Sequence, residues 1–345
     1  MLKNAKQNLL SVVKRSGAFD VMKRSGFRND RLLVLAYHGV SIADEHEWNS
    51  SLYVTEDFLR RRLELLREND CTVLPLGDAL DRLYTHSLPE RTVVITFDDG
   101  GYNFYEKAAP LIEEFKVPVT LYLTTFYSLY NKPVFPVAAD YLLWKGHAET
   151  IDMEPLVGES GVFSLGRSSE RKMAHKNILD YAETRQLSAE AKNDLLAALA
   201  EQVSIDYDIF SQGRTMSLMN LDEAAEIAKA GIDVQLHTHR HRVPLQHDLF
   251  IRELRENSAI IESITGTGPA HLCYPSGQYS QKFFPWMEEF GIASATTCDT
   301  ALANSATERF LIPRLVDTMH LSEVEFEGWL TGVSHFLPQR SRWAN

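Results

Sequence analysis

Short apolar runs, many of them rich in β-branched residues, alternate with segments of helical spacing along most of this chain. Parallel strands need long crossover connections, which are usually helices, so this alternation is typical of an α/β fold. A count of seven strands favours a barrel slightly short of the usual eight strands over an open sheet. The seven runs with the length and composition of buried parallel strands are Leu32–Tyr37, Thr92–Phe97, Pro118–Thr124, Ile232–His237, Ala270–Tyr274, Gly291–Thr297 and Arg309–Leu315.

Several of the intervening segments carry recognisable helix start and stop residues. Thr55 precedes an apolar face that ends near Leu66, and it is a plausible N-cap because acidic residues follow it in the first turn. Residues 103–116 place their apolar side chains on one helical face. A helix over Leu221–Ala230 is expected to stop at Gly231, since glycine adopts the left-handed conformation common after helix ends.

Residues 131–214 break this rhythm and are interpreted as a helical insertion that folds against the barrel. The segment begins with a predicted loop at Pro133 and Pro136, and its helices are expected near 170–184 and 188–204. The predicted organisation is a basic amphipathic N-terminal segment at 1–30, a barrel at 31–130 and 215–335, and the insertion at 131–214.

The charge of the chain is uneven. Residues 1–31 carry eight Lys and Arg against two Asp, and the total is −12, so the remainder is near −18. That acidity disfavours nucleic acid as a partner. Apolar residues are interleaved with the N-terminal bases, which fits a helix packed on the folded body or one lying on an anionic membrane surface. Without a recognisable secretory signal, we expect a cytoplasmic or membrane-peripheral protein.

Polar residues follow the predicted strands at the point where each strand ends. His38 follows the first strand, Asp98 and Asp99 the second, and His237 the fourth. In a parallel barrel the carboxyl ends of all strands open on one face, where active sites are built. These side chains are therefore expected to meet at one rim.

Adjacent carboxylates together with histidines spaced i and i+4 suggest a metal site. An Asp pair alone is commonly a turn or helix cap, and a histidine cluster alone is commonly a solvent-exposed loop. Together, one carboxylate with His237 and His241 provides three ligands and leaves positions open, as in catalytic sites. Zinc suits this donor set, and cobalt, nickel or iron also fit. His239 is offset from the other two and is expected outside the ligand set.

These residues resemble the polysaccharide deacetylases of the NodB-homology type, carbohydrate-esterase family four. Thr96–Gly100 matches the T-F-D-D-G motif, and His237–His241 matches the family's motif of H, then S or T, then x-x-H. Tyr37–Val40 and Tyr274–Gly277 look like the Y-H-x-V and Y-P-x-G elements of the branch that acts on bacterial exopolysaccharides. The resemblance covers roughly residues 31–130 and 215–318, and it implies the distorted seven-stranded barrel of that family.

The resemblance also implies roles for individual residues. Asp99, His237 and His241 would bind the metal, and Asp98 would act as the general base. The loop of Tyr274 and Ser276 would supply a backbone oxyanion donor near Ser276. These roles imply hydrolysis of an acetyl group, usually from an N-acetylated sugar.

Two family motifs are altered in this sequence. Cys273 stands where the family has an arginine, and Arg314 is a candidate to orient Asp98 in its place. Asp317 stands where the family has its histidine acid, and His38 is the candidate replacement, with His271 and His320 as weaker ones.

The sequence therefore predicts a deacetylase that acts on an acetylated, N-acetylhexosamine-containing glycan. Three other hypotheses remain open at this point. The same site could act as an O-acetyl esterase on xylan or another polysaccharide, or hydrolyse a small cyclic amide. The chain could also be a non-catalytic glycan-binding module, although retention of Asp98 beside all three predicted ligands argues against it. Contact with a membrane through the N-terminal segment is a further expectation.

Overall fold

Within the residues described by this computed structural model, 2–337 with side chains from residue 7, eight strands form one parallel sheet. Seven of them lie in the order β11-β10-β9-β6-β5-β1-β12, and β4 pairs with the start of β5. Separate pairs are formed by β2 with β3 and by β7 with β8. The strands are β1 (Leu33–Tyr37), β2 (Gly39–Val40), β3 (Tyr53–Val54), β4 (Thr72–Val73), β5 (Thr92–Phe97), β6 (Thr120–Leu123), β7 (Thr150–Asp152), β8 (Val162–Ser164), β9 (Asp233–Leu236), β10 (His271–Cys273), β11 (Ser294–Thr296) and β12 (Leu315–Val316).

Helices connect the strands and cover the outside of the sheet. A π-helix at Phe104–Ala108 precedes α6, and 3₁₀ turns occur at Pro275–Gly277 and Val333–Phe336. The α-helices are α1 (Leu2–Arg15), α2 (Ala18–Arg24), α3 (Glu45–Trp48), α4 (Glu56–Glu68), α5 (Leu76–Tyr84), α6 (Ala109–Phe115), α7 (Phe126–Tyr130), α8 (Phe135–Lys145), α9 (Glu154–Val157), α10 (Ser168–Thr184), α11 (Ala189–Gln202), α12 (Tyr207–Gln212), α13 (Leu221–Lys229), α14 (His247–Thr265), α15 (Phe283–Phe290) and α16 (Glu323–Thr331).

The predicted barrel is confirmed, with its last strand shorter than expected. Thr296 of β11 forms a parallel bridge with Ile312, and three residues later β12 begins to pair with β1. The segment Arg309–Leu315 thus connects both edges of the curled sheet, but only its end forms a regular strand. All six residues of β5 are buried, as expected for a central strand covered on both faces.

Helix ends follow the predicted caps. The Thr55 side chain accepts a hydrogen bond from the Phe58 N–H at 3.1 Å, at the start of α4. Helix α13 ends at Lys229, two residues before Gly231, whose φ of 94° places it in the left-handed region. Both caps satisfy backbone groups that a helix end would otherwise leave without a partner.

The insertion has its own hydrophobic core, built mainly from α8, α10 and α11. The latter two helices agree with those predicted near 170–184 and 188–204. The loop predicted at Pro133 and Pro136 is wrong in part, because α8 begins at Phe135 with Pro136 in its first turn. Proline is tolerated there because the first turn of a helix has no intrahelical acceptor for its N–H groups. The insertion boundaries at 131 and 214 stay a prediction.

The N-terminal helices pack on the body through α16. Leu10 is fully buried, and Lys14 forms an ion pair with Glu327. Leu9, Val12 and Val21 are each at least half exposed on the outer side. Within residues 2–337, none of the helices combines the length and apolar character that a membrane crossing requires. The packed-helix interpretation is therefore confirmed, whereas contact of the outer side with a membrane stays a prediction.

A buried ion pair ties α4 to the residue after β12. Arg62 donates to both carboxylate oxygens of Asp317 at 2.9 and 3.2 Å, and the Tyr37 hydroxyl donates to the same carboxylate at 2.8 Å. Burial raises the pKa of Asp317, although Arg62 opposes that effect. Asp317 is thus a structural residue, held away from the cavity described below.

We expect Arg62→Met to lower the free energy of unfolding by about 3–5 kcal/mol, because it leaves the Asp317 charge buried without its positively charged partner. Arg61→Met is the matched control on the same helix: its ion pairs lie at the surface and contribute less than about 1 kcal/mol. Urea unfolding of both variants tests this expectation. Equal losses in the two variants would contradict a special role for the buried pair.

Candidate metal centre and active site

Two strand ends bring the predicted metal ligands together. Asp99 lies two residues after β5, and His237 directly follows β9. The Asp99 Oδ1 atom is 3.2 Å from His237 Nε2 and 3.4 Å from His241 Nε2. One ligand atom from each of the three residues lies within 4.8 Å of the others. The predicted clustering at one rim is therefore confirmed.

The backbone turn after β5 begins at Asp99 and continues through Gly100. Asp99 has a φ of 71° and Gly100 a φ of 82°, so the carboxylates of Asp98 and Asp99 are presented at the same rim. A Cβ on Gly100 would lie 2.2 Å from a Leu123 methyl group. A left-handed backbone conformation is strained for residues other than glycine, and such strained residues cluster at functional sites. His241 is a second example at this site, with a φ of 55°.

The orientation of His237 is fixed by its neighbours. Its Nδ1 lies 2.9 Å from the Cys273 carbonyl oxygen, and its backbone N–H donates to Asn257 at 3.0 Å. A carbonyl at Nδ1 requires that nitrogen to carry the proton, so Nε2, which faces Asp99, is the nitrogen that would bind a metal. Metal-binding histidines commonly have this arrangement.

The pKa values of the three residues differ. Burial favours the neutral ring of His237, but Cys273 and the hydrogen bond to Asp99 outweigh it and raise its pKa. Burial lowers the pKa of His241 to about 4, so this ring is neutral near pH 7. Burial acts to raise the pKa of Asp99, and the histidines around it more than reverse that effect. The carboxylate is thus ionised at neutral pH.

This donor set fits a divalent transition-metal ion. Ligands at about 2.0–2.1 Å from a tetrahedral ion lie about 3.3 Å apart, close to the observed spacings. Asp99 and His241 are 38% and 37% exposed, so two of the ligands face the cavity and leave room for water or substrate. The identity of the ion does not follow from these ligands, since zinc, cobalt, nickel and iron all accept them.

Asp98 is held by a buried arginine. Arg314 donates to both carboxylate oxygens at 2.7 and 2.8 Å and also to the Thr96 hydroxyl at 3.0 Å. Burial would raise the pKa of Asp98, but the guanidinium more than offsets it and lowers the pKa to about 2. The sequence suggested Arg314 as a candidate to orient Asp98, and in the structure the two side chains are in direct contact.

Cys273 lies within the same cluster. Its Sγ is 3.5 Å from Asp98 Oδ2 and 3.0 Å from Arg314 Nη2. Asp98, His237 and Cys273 also have ligand atoms within 4.8 Å of one another. The Arg314 guanidinium already neutralises the Asp98 carboxylate. The group of Asp99, His237 and His241 is therefore the better metal site of the two.

His38 is the candidate acid nearest to Asp98. Its Nε2 is 3.8 Å from Asp98 Oδ2, and its side chain is 20% exposed. His271 begins β10 and lies at the opposite end of the sheet from the site, where it contacts Ser294. His320 contacts Ser50 at 3.0 Å and does not line the cavity among the described residues.

The Tyr274 side chain belongs to the core. It is fully buried, and its hydroxyl donates to the Phe310 carbonyl at 3.1 Å. Ser276 is exposed with a φ of 56°. The role of this loop as a source of the oxyanion donor stays a prediction.

A cavity of about 350 Å³ opens above the cluster. Its walls combine rim residues with residues of the insertion. Asn103, which the sequence analysis did not single out, lines the cavity, and its Oδ1 is buried without a hydrogen-bond partner within the described part of the chain. The residues lining the cavity are His38, Gly39, Leu52, Tyr53, Asp98, Asp99, Gly101, Asn103, Thr124, Tyr127, Val134, Pro136, Val137, Thr215, Met216, Ser217, Leu218, Arg240, His241 and Arg242.

His239 lies outside the ligand set, as expected, but it is not a surface residue. It is 6% exposed, and its Nδ1 is 2.8 Å from the Thr125 hydroxyl. Asn257 donates to the same hydroxyl and accepts from the His237 N–H. These three side chains connect the ends of β6 and β9 beneath the site.

Comparison with known proteins identifies relatives of this chain. The polysaccharide deacetylase family model matches residues 85–143 and 187–295. A poly-β-1,6-N-acetyl-D-glucosamine N-deacetylase of Staphylococcus epidermidis is 24% identical over 175 residues, 45% of this chain and 60% of that protein. The Staphylococcus aureus protein of the same name is 26% identical over 118 residues, 31% of this chain and 40% of that protein. The chain thus spans less than two thirds of the length of these relatives.

Solved structures support the fold. The deacetylase PplD of Streptococcus pyogenes has a TM-score of 0.57 at 15% identity, covering 89% of this chain and 99% of that one. IcaB of Ammonifex degensii has a TM-score of 0.53 at 16% identity, covering 88% and 97%. The solved structures show that this chain has the NodB-type barrel fold, and the family model identifies a polysaccharide deacetylase domain within it.

Proposed function

We propose that this chain is a metal-dependent hydrolase that removes acetyl groups from an N-acetylhexosamine-containing polysaccharide or oligosaccharide. The observation that carries the proposal is the Asp99, His237 and His241 group at the rim of a cavity, with Asp98 directly beside it. The names of the staphylococcal relatives favour an N-acetylglucosamine polymer as substrate.

Asp99, His237 and His241 would hold the ion. A divalent cation bound there supplies Lewis acidity, which polarises an acetyl carbonyl and lowers the pKa of water to roughly 7. The remaining chemistry belongs to side chains of this chain.

Asp98 is suited to accept a proton from the attacking water, because Arg314 keeps it ionised and fixes its orientation. The same pairing makes Asp98 a weak base on its own, and a cation held by Asp99, His237 and His241 would supply the acidity that this proton transfer needs. His38 Nε2 would donate a proton to the nitrogen of the leaving amine as the C–N bond breaks. The Asn103 Oδ1 atom is available to accept from the N–H of an acetamido group. The products are acetate and a free amine.

Acetate release from β-1,6-linked N-acetylglucosamine oligomers tests this function. We expect release that a chelator abolishes and that added zinc or cobalt restores. Acetylxylan is the comparison substrate, since an O-acetyl esterase would release acetate from it and not from the oligomers. Absence of acetate from both substrates in the metal-loaded protein would contradict the proposal and favour a non-catalytic glycan-binding role.

We expect His38→Ala to lower kcat by about 10²-fold, the lower end for loss of a general acid. Because His38 is partly exposed, solvent can replace part of its proton donation. Metal content should stay near that of the unsubstituted protein, since His38 lies outside the ligand set. Metal analysis alongside steady-state kinetics checks both expectations, and an unchanged kcat would assign the acid role to another group.

A further inference from the structure

A second cavity, of about 320 Å³, lies beside the one above the metal ligands. It is formed between α7 of the barrel and the start of α11 in the insertion. Tyr127 lines both cavities. We propose that this second cavity binds a neighbouring sugar of the same glycan whose acetylated residue occupies the first. This inference rests on the proposed function, because it assigns the direction in which the substrate chain continues.

The wall on the barrel side is a group of aromatic rings. The Phe126 ring lies 4.9 Å from Tyr130 and 5.2 Å from Tyr127 between centroids. Tyr130 is 46% exposed, a large fraction for an aromatic residue that packs against its neighbours. The C–H faces of a pyranose ring are apolar and weakly positive, and they pack well on the negative face of an aromatic ring. Helix α7 thus presents a surface suited to a sugar ring.

The opposite wall supplies polar groups. Lys132 precedes α8, and Glu190 and Asn193 belong to the first turns of α11. Such a mixture of a donor, an acceptor and an amide over an aromatic wall suits a ligand that has an apolar face and a rim of hydroxyl groups. The Asn193 Oδ1 atom accepts a hydrogen bond from the Tyr207 hydroxyl at 2.6 Å, so its amide nitrogen is the group that would donate to a sugar hydroxyl.

The proximity of the two cavities, which share Tyr127 in their walls, supports a polymeric ligand. Helix α7 follows Thr124, which lines the first cavity, with only Thr125 between them. The insertion would therefore select extended glycans over single sugars.

The test compares Tyr130→Ala, Tyr130→Phe and the control Leu129→Ala, which lies on the same helix and outside the cavity lining. For a β-1,6-linked N-acetylglucosamine hexamer, we expect Tyr130→Ala to raise the Kd by about five- to tenfold by calorimetry. The ratio of kcat/KM for the hexamer to that for the monosaccharide should fall to a similar extent. Tyr130→Phe should recover most of the hexamer affinity, because it retains the ring, and Leu129→Ala should behave like the unsubstituted chain.

The outcomes separate this inference from the proposed function. Acetate release from the hexamer, with no dependence of affinity or chain-length preference on Tyr130, would overturn the second sugar site and leave the deacetylase proposal standing. Absence of acetate release, with hexamer binding still weakened by Tyr130→Ala, would overturn the deacetylase proposal and support the sugar site.

Discussion

His237→Ala is expected to remove the bound cation and to lower kcat by at least about 10³-fold. A catalytic metal contributes several kcal/mol to the stabilisation of transition-state charge, and each 1.36 kcal/mol corresponds to a factor of ten in rate. His237 is the most buried of the three ligands, at 2% exposure, and its ring is held by the Cys273 carbonyl. An alanine at this position leaves two ligands, which do not hold a divalent ion tightly.

The control for this variant is His239→Ala. His239 lies two residues away in the same loop and is also buried, but it contacts Thr125 instead of the ligand group. We expect the control to keep its metal content, measured by elemental analysis of the purified proteins. Circular dichroism verifies that both variants are folded. Full metal content and turnover in His237→Ala would contradict the assignment of the ligands.

The second large effect is expected from Asp98→Asn, with a fall in kcat of about 10²–10⁴-fold and no loss of metal. The amide cannot accept a proton at neutral pH, yet its oxygen still accepts a hydrogen bond from Arg314. Asp98 is not one of the residues whose ligand atoms surround the preferred site, so the cation should remain. Acetate release and metal content are measured on the same preparation.

Two outcomes would contradict this role of Asp98. Turnover within a few-fold of the unsubstituted chain would mean that another group takes the proton. Loss of metal together with activity would instead make Asp98 a metal ligand. Its ligand atoms lie close enough to those of His237 and Cys273 for such a site. Arg314→Lys provides a further comparison, because lysine keeps the positive charge but not the paired hydrogen bonds of the guanidinium.

The barrel and its rim were predictable because both follow from local patterns. Buried parallel strands such as β5 are continuous apolar runs, and the carboxyl ends of parallel strands meet at one face whatever the loop lengths. Strand β4 was missed because it has only two residues, Thr72 and Val73. Helix α8 was missed because Pro133 and Pro136 suggest a loop, whereas Pro136 occupies the one helical turn that tolerates proline.

The partners of the site residues were harder to predict than the residues themselves. Arg314 and Asp98 are 216 positions apart, and their contact depends on how the final segment closes the sheet against β1. The sequence offered Arg314 as a candidate to orient Asp98, but nothing local to it shows that its guanidinium reaches that carboxylate. In the sequence, Asn103 likewise looks like an ordinary polar residue near the start of a helix. Only the fold shows that its Oδ1 atom is buried at the cavity wall.

Zinc titration of the metal-free protein, followed by calorimetry, tests the central claim most directly. The account predicts one zinc ion per chain for the unsubstituted protein and for His239→Ala, and none bound tightly by Asp99→Ala or His241→Ala. Unaltered binding of one ion by Asp99→Ala and His241→Ala, or no binding by the unsubstituted chain, would contradict a metal centre at this rim.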